Sequence, residues 1–155
     1  MADKLPQVTF DPVESGIASV SALFDPATLV IVKSALWTPQ PTSYADTPSL
    51  QFSHAQGRRL SLQLQLDATT KKPSVQPDLD ALVRLAMVID GSGSEDLKRP
   101  PLINVVWAKA GTLPAFKGVI DRIEIQYQQL LADGTPQQAR VLVAMEEAAH
   151  LSVHH

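Results

Sequence analysis

The cleanest pattern in the chain runs from Arg59 to Asp67, where Leu60, Leu62, Leu64 and Leu66 alternate with Ser61, Gln63 and Gln65. A period of two puts the four leucines on one face of a strand and the neutral polar residues on the other. That second face is free to be wetted or to line a channel. Three more β-rich runs occupy the last third: Arg99–Trp107, Phe116–Tyr127 and Ala139–Glu146, the last two separated by the turn signal Asp133-Gly134-Thr135-Pro136. In the middle run Val119, Ile123, Ile125 and Tyr127 read onto one face, with Asp121 as the exception, and Arg122, Glu124 and Gln126 onto the other. In the final run Ala139, Val141, Val143 and Met145 alternate with Arg140, Leu142, Ala144 and Glu146. Both faces of that run are partly apolar, which predicts burial on both sides or a contact between subunits.

The first third is more broken. Gln7–Phe10 has weak strand character that Asp11-Pro12 interrupts, so residues 1–17 read as an arm, loose or ordered by a neighbour. Ala18–Leu23 is a short apolar run punctuated by Phe24-Asp25-Pro26, and Thr28–Lys33 reads as a separate strand. Ser34–Pro48 holds three prolines around Trp37 and Tyr44 and reads as an extended loop whose aromatics pack on something. One segment changes period: Leu79, Leu82, Val83, Ala86 and Ile89 fall at helical spacing. Pro77 and Asp78 suit its first turn and Gly91 its end, predicting a helix over about 78–90 that lays its stripe on the leucine face. Gly91–Pro101 reads as a flexible loop. The prediction is a mainly β (α+β) fold, an antiparallel barrel or sandwich with one flanking helix, in a single domain over 1–149 followed by a tail at 150–155.

Charge and composition narrow the function without supplying one. The net charge of −3 argues against a nucleic-acid binder driven by phosphate neutralisation. With no cysteine there are no disulfides, thiolate metal sites or cysteine nucleophiles. No run reaches the roughly 18 apolar residues of a membrane span, and the N-terminus lacks a signal peptide's apolar core. Membrane insertion is not expected, and the chain reads as cytoplasmic when made. Of four histidines, His150, His154 and His155 sit in the tail, and His54 reads as a turn residue without a partner. Glu146 and Glu147 are adjacent on a strand and point to opposite faces, unsuited to joint acid–base work. Gly91-Ser92-Gly93-Ser94 follows a helix and lacks the lysine of a phosphate cradle. No enzyme activity, cofactor or metal is expected. Trp37, in the proline-rich segment, is an interface candidate, because tryptophan buries much area at little entropic cost.

The order of motifs carries more than any one of them. Phe24-Asp25-Pro26, Lys33-Ser34 with Trp37 after it, Leu50-Gln51-Phe52 and the leucine strand come first. Arg99-Pro100-Pro101 leading to Trp107, Phe116-Lys117-Gly118-Val119-Ile120, Asp133-Gly134-Thr135-Pro136 and Ala139-Arg140-Val141 follow. This string, across about residues 20–147, resembles the contractile injection system tube proteins of phage-tail-like particles, in particular the tube-initiator or baseplate tube-adaptor type. The resemblance implies a tail-tube fold and a homo-hexameric ring whose strands join in a continuous inner barrel. It further implies partners in the spike hub or baseplate below and the inner tube above, with the sheath nearby, in a particle released or anchored after cytoplasmic assembly. Many such relatives carry a LysM module after the tube domain; none is expected here, because the sequence ends soon after its last strand. On this reading Trp37, Tyr44, Phe52, Arg122, Glu124 and Gln126 are the subunit-interface candidates. The alternative is a monomeric β-barrel whose leucine face encloses a small apolar ligand.

Overall fold

The structure, a computed structural model, describes residues 5–41, 46–88 and 99–151. These hold, in chain order, β1 (Gln7–Pro12), β2 (Val20–Val32), β3 (Ala35–Gln40), β4 (Ser49–Ala55), β5 (Arg59–Asp67), α1 (Gln76–Arg84), β6 (Ile103–Trp107), β7 (Phe116–Leu130) and β8 (Pro136–Glu147). Six strands close an antiparallel barrel in the order β1-β2-β5-β8-β7-β6, and β3 and β4 form a separate two-stranded sheet. The predicted mainly β fold with one flanking helix is the observed one.

The leucine alternation is the organising element. Leu60, Leu62 and Leu64 are at most 1% exposed, and opposite them on β8 stand Met145, Val143 and Val141, each fully buried. These residues and the inward side chains of β1, β2, β6 and β7 make one core cluster. The β1–β6 pair closes the barrel by bridging one end of β2 and one end of β7. Trp107 belongs to this core: its ring centroid lies 5.6 Å from that of Phe24, and its Nε1 donates to the Pro114 carbonyl at 2.9 Å.

Several expectations are corrected. The N-terminal stretch read as an arm contains β1, whose Val8 and Phe10 are fully buried and which pairs with both β2 and β6 of the same chain. Ala18–Leu23 and Thr28–Lys33 are not separate pieces; most of both lies in the single strand β2. Between Asp25 and Val30 its register to β5 shifts. There Thr28 donates its hydroxyl to the Asp25 carbonyl and accepts from the Gln63 amide at 2.9 Å. A side chain thus takes the place of the ladder bonds that Pro26 interrupts. Ser34–Pro48 is not a loop over its first part, since residues 35–40 form β3. Pro39 is tolerated because each strand of a two-stranded sheet is an edge with a row of unpaired positions.

The helix is shorter than predicted. It ends at Arg84, and the Leu85, Ala86 and Met87 amides bond three residues back, which tightens the chain out of the α-helix. Ile89, Asp90 and the expected terminator Gly91 lie outside the described residues. Pro77 and Asp78 do occupy the first turn. Leu79 and Leu82 join the core cluster of the β5 leucines, while the strand that α1 itself approaches is β2.

The face assignment on β7 also changes. Pairing with β8 steps from Ile120–Met145 to Arg122–Ala144, so Asp121 is an extra residue in a β-bulge. The bulge reverses the alternation. Phe116, Gly118 and Ile120 are buried before it, and Ile123 and Ile125 pack against the core after it. Val119 therefore lies on the face opposite Ile123 and Ile125.

Candidate functional site: exposed edges, an outer face and a projecting hairpin

The described residues contain no group of three or more side chains suited to hold a metal, and no helix long and apolar enough to cross a membrane. The cavities among them are surface clefts. One of about 410 Å³ is lined by Gly57, Lys117, Glu147, Ala148 and Ala149. Behind the leucine face the inward side chains of β5 and β8 are buried in the core cluster. What the molecule presents is surface of three kinds.

The first is backbone edge. β8 pairs with β7 along almost its whole length, but β6 pairs only with Phe116–Gly118. From Val119 to Leu130 the other edge of β7 has no strand partner among the described residues. β1 likewise pairs only with Val20–Leu23, and its neighbour Pro6 accepts the Phe24 amide at 2.9 Å. From Asp25 to Val32 that edge of β2 is also without a strand partner among the described residues. The β1–β6 pair thus crosses the barrel diagonally, from one end of β2 to the opposite end of β7.

The second is the outer face of the sheet β2-β5-β8-β7. Its cross-strand rows read Asp25–Gln63–Leu142–Glu124 and Val30–Ser61–Ala144–Arg122. Of the predicted interface residues, Arg122, Glu124 and Gln126 stand here, exposed, on the strand with the long free edge. Arg122 pairs with Glu124 at 3.1 Å. Glu124 and Gln126 border a shallow hollow of about 100 Å³ with Gln63, Arg140 and Leu142.

The third is the β3–β4 hairpin. It continues the β2–β5 ribbon beyond the barrel, with the Gln56 amide donating to the Ser34 carbonyl at 3.1 Å between the two ladders. Register pairs Trp37 with Phe52 and Pro39 with Leu50, which gives one apolar face. Thr38 bonds Ser53 at 2.6 Å, and Gln40 donates to Gln51, on the other. The Trp37 and Phe52 rings meet edge-on, with centroids 5.2 Å apart. Both remain about half exposed, as do Leu36 and Leu50. Trp37 and Phe52 are thus brought together, apart from the β7 residues. Tyr44 lies outside the described residues. His54 is a β4 residue, not part of a turn, and is exposed.

The hairpin's root is fastened electrostatically. Arg58 reaches Glu147 through Nη2 at 2.7 Å and Nε at 3.1 Å, and its amide donates to the same carboxylate at 2.9 Å. The guanidinium also bonds the Ala115 carbonyl and lies 5.4 Å from the Phe116 ring centroid. Chiefly through the Arg58 side-chain bond, the Glu147 carboxyl is pulled down to about 2 from its usual 4.5. Arg59 holds Asp121 and Glu146 alongside.

Leu36, Leu130 and Leu131 are exposed apolar residues that the sequence reading did not single out. A usable signal existed: Ser34–Gly57 contains no lysine, arginine or glutamate and one aspartate, and Gln126–Gln138 likewise contains only Asp133. Both stretches coincide with exposed apolar side chains, Leu36, Trp37, Leu50 and Phe52 in the first and Tyr127, Leu130 and Leu131 in the second.

The family model for the contractile injection system tube protein matches residues 7–153. No curated protein matches the chain.

Proposed function

This chain belongs to the contractile injection system tube protein family and is a structural component of such a system, and we propose that it works there as a hexameric ring of the inner tube or of the tube-initiator or adaptor layer between spike hub and tube. On this reading residues 1–149 form one tube domain, and rings assemble in the cytoplasm before the particle is released or anchored.

The observation that carries the reading is the pair of free edges. β2 and β7 bound the same four-stranded sheet, and three antiparallel steps separate them, so they run in opposite directions. Setting the β7 edge of one copy against the β2 edge of the next therefore makes an antiparallel ladder, and every copy repeats it. The free stretches overlap in height, since Asp25–Val32 and Val119–Glu124 belong to the same cross-strand rows. A head-to-tail contact of this kind closes into a ring when the rotation fits. Closure removes the two remaining edges of each sheet, which otherwise invite uncontrolled pairing. The wall so formed is geometric in its action: it sets the bore and the symmetry of what is built on it. Arg122, Glu124 and Gln126 lie beside that seam.

Native mass spectrometry and negative-stain imaging of the purified chain test this directly. The expected result is a species of six times 16.8 kDa with six-fold rings. A chain that stays monomeric, alone and with co-expressed tube and hub proteins, overturns the reading.

A further inference from the structure

We propose that Pro26, Ala27 and Thr28 are an edge guard: they close part of the free β2 edge to strand addition and leave only Val30–Val32 open to a second copy of this chain. This rests on the ring reading above and adds which part of that edge pairs and what keeps it from pairing wrongly.

The guard is visible as a count. On β5 two steps separate Gln63 from Ser61, but their partners on β2, Asp25 and Val30, are five steps apart. Three residues are therefore inserted. Without Pro26–Thr28 the strand reads Phe24-Asp25-Leu29-Val30-Ile31-Val32. Phe24 is buried and Leu29 and Ile31 pack on the core, while Asp25, Val30 and Val32 take the outer face. The alternation is intact across the insertion, and none of the three inserted residues belongs to the core. Their place is the edge.

Backbone groups in the insertion are withdrawn from pairing. Pro26 has no amide to give. The Ala27 amide donates to the Asp25 carboxylate at 3.0 Å, and the Asp25 carbonyl accepts from the Thr28 hydroxyl at 2.6 Å. The Gln63 amide, which a regular β2 would bond through its backbone, is bonded by the Thr28 side chain at 2.9 Å. The inserted residues thus stand off β5, and a flat strand cannot lie along them.

What lies beside them needs guarding. Thr28–Lys33 reads Thr-Leu-Val-Ile-Val-Lys, a run of high β-propensity and low charge of the kind that pairs with its own copies in fibres. Val30 and Val32 are exposed at 50% and 48%, on an edge without a strand partner among the described residues. Two such edges invite each other. The insertion interrupts the run at one end and Lys33 charges it at the other, the flanking that limits self-pairing of an apolar strand. Only Val30–Val32 then remains for a ladder. An edge so short selects its partner by side-chain fit as well as by backbone.

The test removes the guard. A chain lacking Pro26, Ala27 and Thr28, with Asp25 joined to Leu29, is compared with the unsubstituted chain by circular dichroism, size-exclusion chromatography and thioflavin T fluorescence. The deletion is expected to keep a cooperative thermal transition, to move most of the protein into large assemblies and to raise the fluorescence several-fold. The absence of cysteine allows a second readout. Val30→Cys added to the deletion is expected to give disulfide dimers under mild oxidation, because paired β2 edges bring the two copies of that position together. Val30→Cys in the full-length chain is expected to give few. Should the deletion chain not fold, Asp25→Val combined with Pro26→Val opens the same edge at full length and is expected to act in the same direction. A folded variant of either kind with no more large assemblies than the unsubstituted chain overturns the guard. So does Val30→Cys dimer formation that is equal with and without the insertion. Native mass spectra of the unsubstituted chain separate the two claims. Monomers there remove the ring reading, and with it the use of Val30–Val32, while aggregation on deletion still supports the guard. Six-fold rings there with no response to the deletion remove the guard alone.

Discussion

Arg58 and Glu147 tie the root of the hairpin to the end of β8, and their bond sets a pH dependence. The Glu147 carboxyl titrates near 2 when folded, below its ordinary 4.5. A depressed carboxylate contributes stability above its unfolded pKa and loses it as pH falls through the folded value. Glu147→Gln is therefore expected to lower the melting temperature at neutral pH, with the gap to the unsubstituted chain closing between about pH 4.5 and pH 2. An equal gap at all pH values in thermal scans counts against this bond. Gly118 acts through space alone. A Cβ there would sit 2.0 Å from the Glu146 carbonyl oxygen, so Gly118→Ala forces β7 away from β8 and is expected to destabilise by about 1–3 kcal/mol, measurable by denaturant unfolding. Trp37→Ala removes a half-exposed ring. We expect a change of at most about 1 kcal/mol in subunit stability but a clear loss of assembly in sedimentation. Equal effects on both overturn the interface role. The pairing of Trp37 with Phe52 was beyond reach of sequence, because it depends on a hairpin register that three prolines concealed.

At the scale of elements, β5 was fully legible. Strict alternation over Arg59–Asp67 has one solution on a half-buried sheet, and the structure adopts it. Leu62→Ala is expected to cost about 2–5 kcal/mol, since Leu62 is fully buried against Val143. β2 and β7 were harder because each contains a bulge. Pro26 split one apparent strand into two, and Asp121 displaced the face pattern by one. Both irregularities are held by contacts distant in sequence, Thr28 to Gln63 and Arg59 to Asp121. The β3–β4 hairpin contributes no residue to the core. Replacing Ala35–Ala55 with a short Gly-Ser turn is therefore expected to leave a folded barrel with a thermal transition close to that of the intact chain. Loss of the cooperative transition in circular dichroism rejects the hairpin as an appendage.

For the whole molecule, the closed barrel hides its apolar layer inside and leaves two free strand edges and two apolar ends exposed among the described residues. If stacking rests on the neutral ends, tube length is expected to persist or grow as salt is raised, because apolar contacts are not screened. Tubes that fall apart at high ionic strength in electron micrographs indicate a charge-based junction instead. The outer face of β5 and β8 carries Ser61, Gln63, Gln65, Leu142 and Ala144 at its middle and the charged Arg59, Asp67, Arg140 and Glu146 toward its ends.

The sequence by itself determined β5, the strands of the last third and the turn that joins the last two. Local periodicity and the Asp133-Gly134 signal specify those without reference to the rest of the chain, and the order of motifs was enough to suggest the family. Only the tertiary structure decided that β1 belongs to the barrel, that α1 stops at Arg84, and that β7 and β2 keep free edges. Those features depend on which strand lies beside which and for how many residues. Pairing across a barrel links positions up to a hundred residues apart, such as Val8 with Trp107, and no local pattern encodes where such a ladder stops.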